Sequence, residues 1–100
     1  MNAEELWLSA CQLLKSELPD VSYHTWIEQP LKPYALIGDI LLMECVAPVM
    51  LSLGTERYMP QIQRAVNTAA DGALKIEILS GDELTARVNE LKAQIGRAHV

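Results

Sequence analysis

One hundred residues, half of them apolar, suffice for one domain with its own core and not for two. The net charge of -5, from 13 acidic and 8 basic side chains, argues against a dominant nucleic-acid role, because phosphate binding is driven by clustered Lys and Arg. Two cysteines, Cys11 and Cys45, form neither a metal-ligand spacing nor a disulfide framework, and no apolar run reaches the roughly 18–20 residues of a membrane span. A reduced, cytoplasmic protein is the expectation.

A first helix is expected over residues 3–18. At 100° per residue, Leu6, Trp7, Ala10, Cys11, Leu13, Leu14 and Leu18 fall in an arc about 160° wide, with Leu8 an apolar outlier. Glu4 and Glu5 suit a helix N-terminus, and Pro19 ends the segment. Ser22 is read as the N-cap of a short second helix over 23–28. There Tyr23, Trp26 and Ile27 share one side, with Trp26 assigned to the core. Pro30 closes it.

Two strands follow, over 31–37 and 40–47, with Gly38-Asp39 as a tight turn between them. Pro33 cannot donate to a ladder, which puts the first strand at an edge. The second strand is apolar on both faces: Leu41, Met43 and Cys45 on one, Ile40, Leu42 and Val46 with Glu44 on the other. It is therefore expected to be central.

Pro48 fits the first turn of a third helix over 48–70, with a kink or break near residues 57–59 from Pro60 and Gly72 as its C-terminal cap. Leu74, Ile76 and Ile78 alternate with Lys75 and Glu77, which marks a third strand. Ser80-Gly81-Asp82-Glu83 resembles a capping box opening a further helix over 83–95. Its Leu84, Val88, Leu91 and Ile95 form a narrow seam, expected to pack against the domain edge. The closing residues 96–100 carry no pattern and are read as linker or a cloning remnant. The expected domain spans 1–79, with 80–100 the start of a linker or an extra helix. The fold class is α+β, α-α-β-β-α-β: a three-stranded sheet covered by helices.

Catalytic constellations are absent. No G-x-S-x-G, phosphate-binding glycine loop, H-E-x-x-H or C-x-x-C occurs. His24 and His99 are the only histidines, and His24 reads as an ordinary helix histidine. Glu44 is the one unusual carboxylate, and the margin of the sheet is its expected place. The helix pair before a hairpin is KH-like, yet no two of the five glycines stand three apart, so the backbone-clamping G-x-x-G loop is missing. No enzyme activity, metal or cofactor is expected in this domain, and little or no direct nucleic-acid binding.

One series of residues carries a resemblance. Leu6-Trp7 opens the first helix and Glu17-Leu18-Pro19 closes it. Tyr23-His24-Thr25-Trp26-Ile27 forms the second, Gly38-Asp39 turns the hairpin, and Ala47-Pro48 starts the next helix. Glu56-Arg57-Tyr58-Met59 with Ile62 stands near its middle, before the closing strand. In this order the chain resembles, over roughly residues 5–79, the N-terminal domain of the bacterial chromosomal replication initiator (DnaA) family. The resemblance implies a protein-interaction domain that self-associates weakly through a first-helix flank, here Trp7, Leu8 and Cys11. It also implies recruitment of the replicative DnaB-type helicase and of initiation regulators. Helicase-contact positions fall at Ser22 and Leu51, and the regulator surface includes Tyr23 and Met50. The family often carries an acid where Ser22 stands, an aromatic where Leu51 stands, asparagine at Val49 and tryptophan at Thr55. Trp7 itself has two readings, core or interface. A stand-alone adaptor built on the same domain is the alternative function, and a single-stranded nucleic-acid module a further one.

Overall fold

The computed structural model describes residues 2–97, with side chains as far as Gln94. The expected Ile95 contact and residues 98–100 lie outside the described side chains and residues. The order of elements is α1 (Ala3–Glu17), α2 (Asp20–Tyr23) running into a π-helical turn (His24–Glu28), β1 (Leu31–Ile37), β2 (Ile40–Cys45), α3 (Pro48–Leu53), a 3-10 turn (Thr55–Tyr58), α4 (Met59–Ala70), β3 (Lys75–Leu79) and α5 (Gly81–Arg97). This is the expected α+β class with the extra helix present.

The sheet has the order β1-β2-β3, antiparallel between β1 and β2 and parallel between β2 and β3. The hairpin closes with Ile37 opposite Ile40, and Gly38 takes φ +61, the left-handed value that a two-residue turn asks of its first position. Pro33 sits on the edge strand, as its missing N–H requires, and the register slips between Pro33 and Ala35. That bulge leaves Tyr34 facing out, 48% exposed.

Central β2 is buried on both sides. Leu41, Met43 and Cys45 point into the main core with Leu6, Trp7, Ala10 and Leu14 of α1, Ile27, and Ile62 and Val66 of α4. Leu42 points the other way, into a second cluster with Leu84, Val88 and Leu91 of α5, rimmed by Ala35, Ile37, Ile40 and Leu79. The seam on α5 thus lies across the free face of the sheet and not along the domain edge. The reason is Leu42: an apolar residue in the middle of a sheet face stabilises whatever shields it, by about 25 cal/mol per Å² covered. A bidentate ion pair fastens the same helix. Arg87 donates from Nε to Glu77 Oε1 at 2.7 Å and from Nη2 to Oε2 at 2.9 Å, while Nη1 reaches Glu90 at 2.9 Å. Ser80 donates its hydroxyl to the Cys45 carbonyl at 2.7 Å, which ties the entry of α5 to the end of β2.

Several boundaries differ from the sequence expectation: β2 ends at Cys45 and not at residue 47, α5 begins at Gly81 and not at residue 83, and three further differences have a clear physical cause. The second helix begins at Asp20, with Pro19 as its cap, because proline pre-sets the entry angle; Ser22 is therefore inside the helix and not its N-cap. The third helix is split: α3 stops at Gly54, a 3-10 turn follows, and α4 restarts with Pro60 in its first turn. The break thus begins earlier than residues 57–59, since glycine weakens the helix before the proline does. At the end of α4 it is Asp71, not Gly72, that adopts the left-handed conformation, φ 54. Gly72 N–H bonds to Asn67 O at 3.1 Å and Asp71 N–H to Thr68 O at 3.3 Å, the paired bonds of a Schellman ending. Asn67 Oδ1 then accepts from Gln63 at 2.9 Å and from Leu74 N–H at 3.1 Å, steering the chain into β3.

Two measurements check these contacts. Asp71→Gly removes the left-handed penalty on a non-glycine residue and raises stability by about 0.5–1 kcal/mol in thermal or urea unfolding. The Arg87 guanidinium holds the Glu77 carboxyl below the usual carboxylate range. A depressed carboxylate contributes stability that is fully present above its unfolded pKa and is lost as pH falls through the folded one. The protection of α5 amides from hydrogen exchange, taken relative to the intrinsic rate at each pH, therefore falls in that acid window, and Glu77→Gln lowers it already at pH 7 and removes this pH dependence.

Candidate interaction surface

Short helix α3 reads Pro-Val-Met-Leu-Ser-Leu, and not one of its residues is buried. Pro48 starts it, pre-set for a first helical position. Gly54 stops it, its N–H closing on Met50 O at 3.0 Å. Val49 is 64% and Leu53 59% exposed. They stand four apart, on one side of the helix. Val21 on α2 is the most exposed large apolar residue, at 77%.

The α2 and α3 segments are locked together behind this surface. Thr55, fully buried, donates its hydroxyl to Trp26 O at 2.7 Å. The Trp26 ring lies against Gly54 so closely that a Cβ there would come within 2.4 Å of it. Trp26 is thus half-buried, a wedge between two helical segments, and not a residue of the central core. The π-helical turn carrying it closes with Gln29 N–H on His24 O at 3.1 Å. Such turns insert one extra residue into a helix and recur at functional sites. Here the turn presents His24 beside Glu28 at 2.6 Å on the surface.

Of the helicase and regulator positions implied by the resemblance, Ser22 is half-buried on α2 and Tyr23 buried beside it, while Met50 and Leu51 are half-buried on α3. The structure puts all four on the two segments that the Trp26 wedge joins. Tyr23 also carries Lys15 over its ring at 5.8 Å, within cation–π range. The three self-association positions are divided. Trp7 is 6% and Cys11 9% exposed, both inside the main core, whereas Leu8 is 65% exposed. Trp7 is turned inward because α1 lays that flank against α4 and the sheet. Burial pushes the Cys11 thiol up, away from the reactive thiolate.

Val21, Val49 and Leu53 were not singled out as contact positions from the sequence. The signal that finds Val49 and Leu53 is the pair Gly54 and Pro60, which breaks the third helix into a short piece; no sequence signal singles out Val21 on α2. Among the described residues no cluster of His, Cys, Asp and Glu is arranged to hold a metal, and no helix is long and apolar enough to cross a membrane. A shallow pocket of about 360 Å³ lies between the start of α1 and Tyr34, remote in sequence from α3.

Gly54→Ala tests the wedge: the added methyl displaces Trp26 and costs about 1–3 kcal/mol of stability, read by denaturant unfolding.

No protein-family model matches the chain. Chromosomal replication initiator proteins do. The DnaA of Thermoanaerobacter sp. (strain X514) is 31% identical over 96 residues, 96% of this chain and 21% of the initiator. That of Geobacter sulfurreducens is 34% identical over 76 residues, 76% of this chain and 17% of the initiator. That of Caldanaerobacter subterraneus subsp. tengcongensis is 31% identical over 93 residues, 93% of this chain and 20% of the initiator. The chain spans about a fifth of the length of these curated relatives. The resemblance read from the order of its residues therefore holds: over most of its length this chain is similar to part of the DnaA replication initiators.

Proposed function

We propose that this domain is an assembly module of a bacterial replication initiator, working through protein–protein contacts in the cytoplasm, with no catalytic step or cofactor of its own. The observation that carries this reading is the outer side of α3, where Val49 and Leu53 stand one turn apart, 64% and 59% exposed. Large apolar side chains held in water beside one another mark interaction sites. The surface around Val21, Val49 and Leu53 takes the replicative DnaB-type helicase or a regulator of initiation, with Ser22, Tyr23, Met50 and Leu51 shaping it from behind. Weak self-association uses the exposed Leu8 edge of α1, with Trp7 and Cys11 supporting it from the core. The net charge of -5 favours basic patches on partners and leaves DNA contact to other parts of an initiator.

Capture of the same organism's helicase by immobilised wild type, Val49→Asp/Leu53→Asp and Ser22→Ala/Leu51→Ala tests the surface. Capture falls at least tenfold for the first variant while its circular dichroism stays native. Equal capture by all three removes the helicase reading. Trp7→Ala serves as the core control, losing about 3–5 kcal/mol of stability.

A further inference from the structure

We propose that α5 exchanges between two copies of this chain, so that the sheet face bearing Leu42 and Glu77 docks the α5 of a second copy. This goes beyond the assembly reading and does not depend on it. The face is costly to leave open, because Leu42 at its centre is fully buried beneath Leu84, Val88 and Leu91, with Ala35, Ile37, Ile40 and Leu79 around it. The ligand whose fit is demonstrated is α5 itself, in shape through those three residues and in charge through the bidentate Arg87–Glu77 pair. An α5 from another copy brings the same residues. Every contact made within one chain is then remade between two.

The connection invites the exchange. β3 ends at Leu79 and α5 starts at Gly81, so Ser80 alone joins them. Gly81 takes φ +56 in the closed arrangement, a left-handed angle that glycine adopts without steric cost and that opening of the hinge changes. Rotation there swings α5 away as one rod, at the loss of the Ser80–Cys45 hydrogen bond. Short hinges of this kind are the known route to swapped dimers. The net charge of -5 on each copy opposes association, so the dimer is weak and strengthens with salt.

Charge reversal tests this directly. Glu77→Arg alone sets two guanidinium groups against each other, and Arg87→Glu alone sets two carboxylates together. Each variant alone loses the ion pair in its closed monomer and in its exchanged homodimer alike, so neither dimerises more strongly than wild type in analytical ultracentrifugation. Mixed one to one, the altered sheet of the first variant meets the altered helix of the second, and their reversed charges attract. The unaltered sheet of the second variant meets the unaltered helix of the first, which remakes the native pair. The mixture forms a heterodimer. A mixture that sediments as two monomers at millimolar concentration overturns the proposal. Placing Leu8→Asp in both variants separates this mode from contact through the α1 edge: a heterodimer that survives supports exchange, and one that disperses overturns it. Gly81→Ala supplies a readout that leaves the ion pair intact. No atom lies within 4 Å of the added Cβ, so the substitution penalises only the left-handed closed hinge. It raises the dimer association constant about tenfold or more, and an unchanged constant counts against the proposal.

Discussion

The fold depends on β2 being apolar in both directions. A strand whose alternate residues all avoid water has to lie in the middle of a sheet and has to be roofed on both faces. From that one condition come the edge positions of β1 and β3, the packing of α1 and α4 over Leu41, Met43 and Cys45, and the placement of α5 over Leu42. The two roofs differ in kind. The first is built of two helices anchored by many buried side chains. The second is a single helix held by three apolar residues and one guanidinium fork.

The surface offered to partners arises where the core runs out. α3 has six residues, enough to half-bury Leu51 against the main core but not to bury a whole face, and its neighbours fix it from behind through the Trp26–Gly54 contact and the Thr55 hydroxyl. Rigidity thus comes from a small wedge at its rear, while Val49 and Leu53 remain free. A preorganised apolar helix loses little conformational freedom when a partner covers it.

Much of this was legible in the residues. The double apolar periodicity of 40–45 placed β2, Pro33 placed the edge, and the Gly38-Asp39 pair placed the turn. The order of Leu6-Trp7, Glu17-Leu18-Pro19, Tyr23–Trp26 and Ala47-Pro48 pointed to the initiator family. What escaped depends on three dimensions. A helical wheel leaves both Trp7 and Leu8 a claim to the surface, and only the position of α4 decides between them. The need for glycine at position 54 is set by how closely Trp26 approaches its backbone, a contact between residues far apart in the chain. The Schellman ending at Asp71 escaped because Gly72 is the better left-handed residue, yet the length of α4 puts that conformation one residue earlier.

The pairing of β3 parallel to β2 has a consequence for the order in which the domain forms. The hairpin of β1 and β2 needs only local chain, whereas β3 reaches β2 after the crossover of residues 46–74 has closed, a slower event by its loop entropy. The cover of the second face lies later still in the chain, through Leu91. On the ribosome, where domains form from the N-terminus onward, Leu42 and its neighbours therefore wait uncovered until the last of the described helix has emerged. Neighbouring nascent chains on one messenger present the same bare face at the same stage of synthesis.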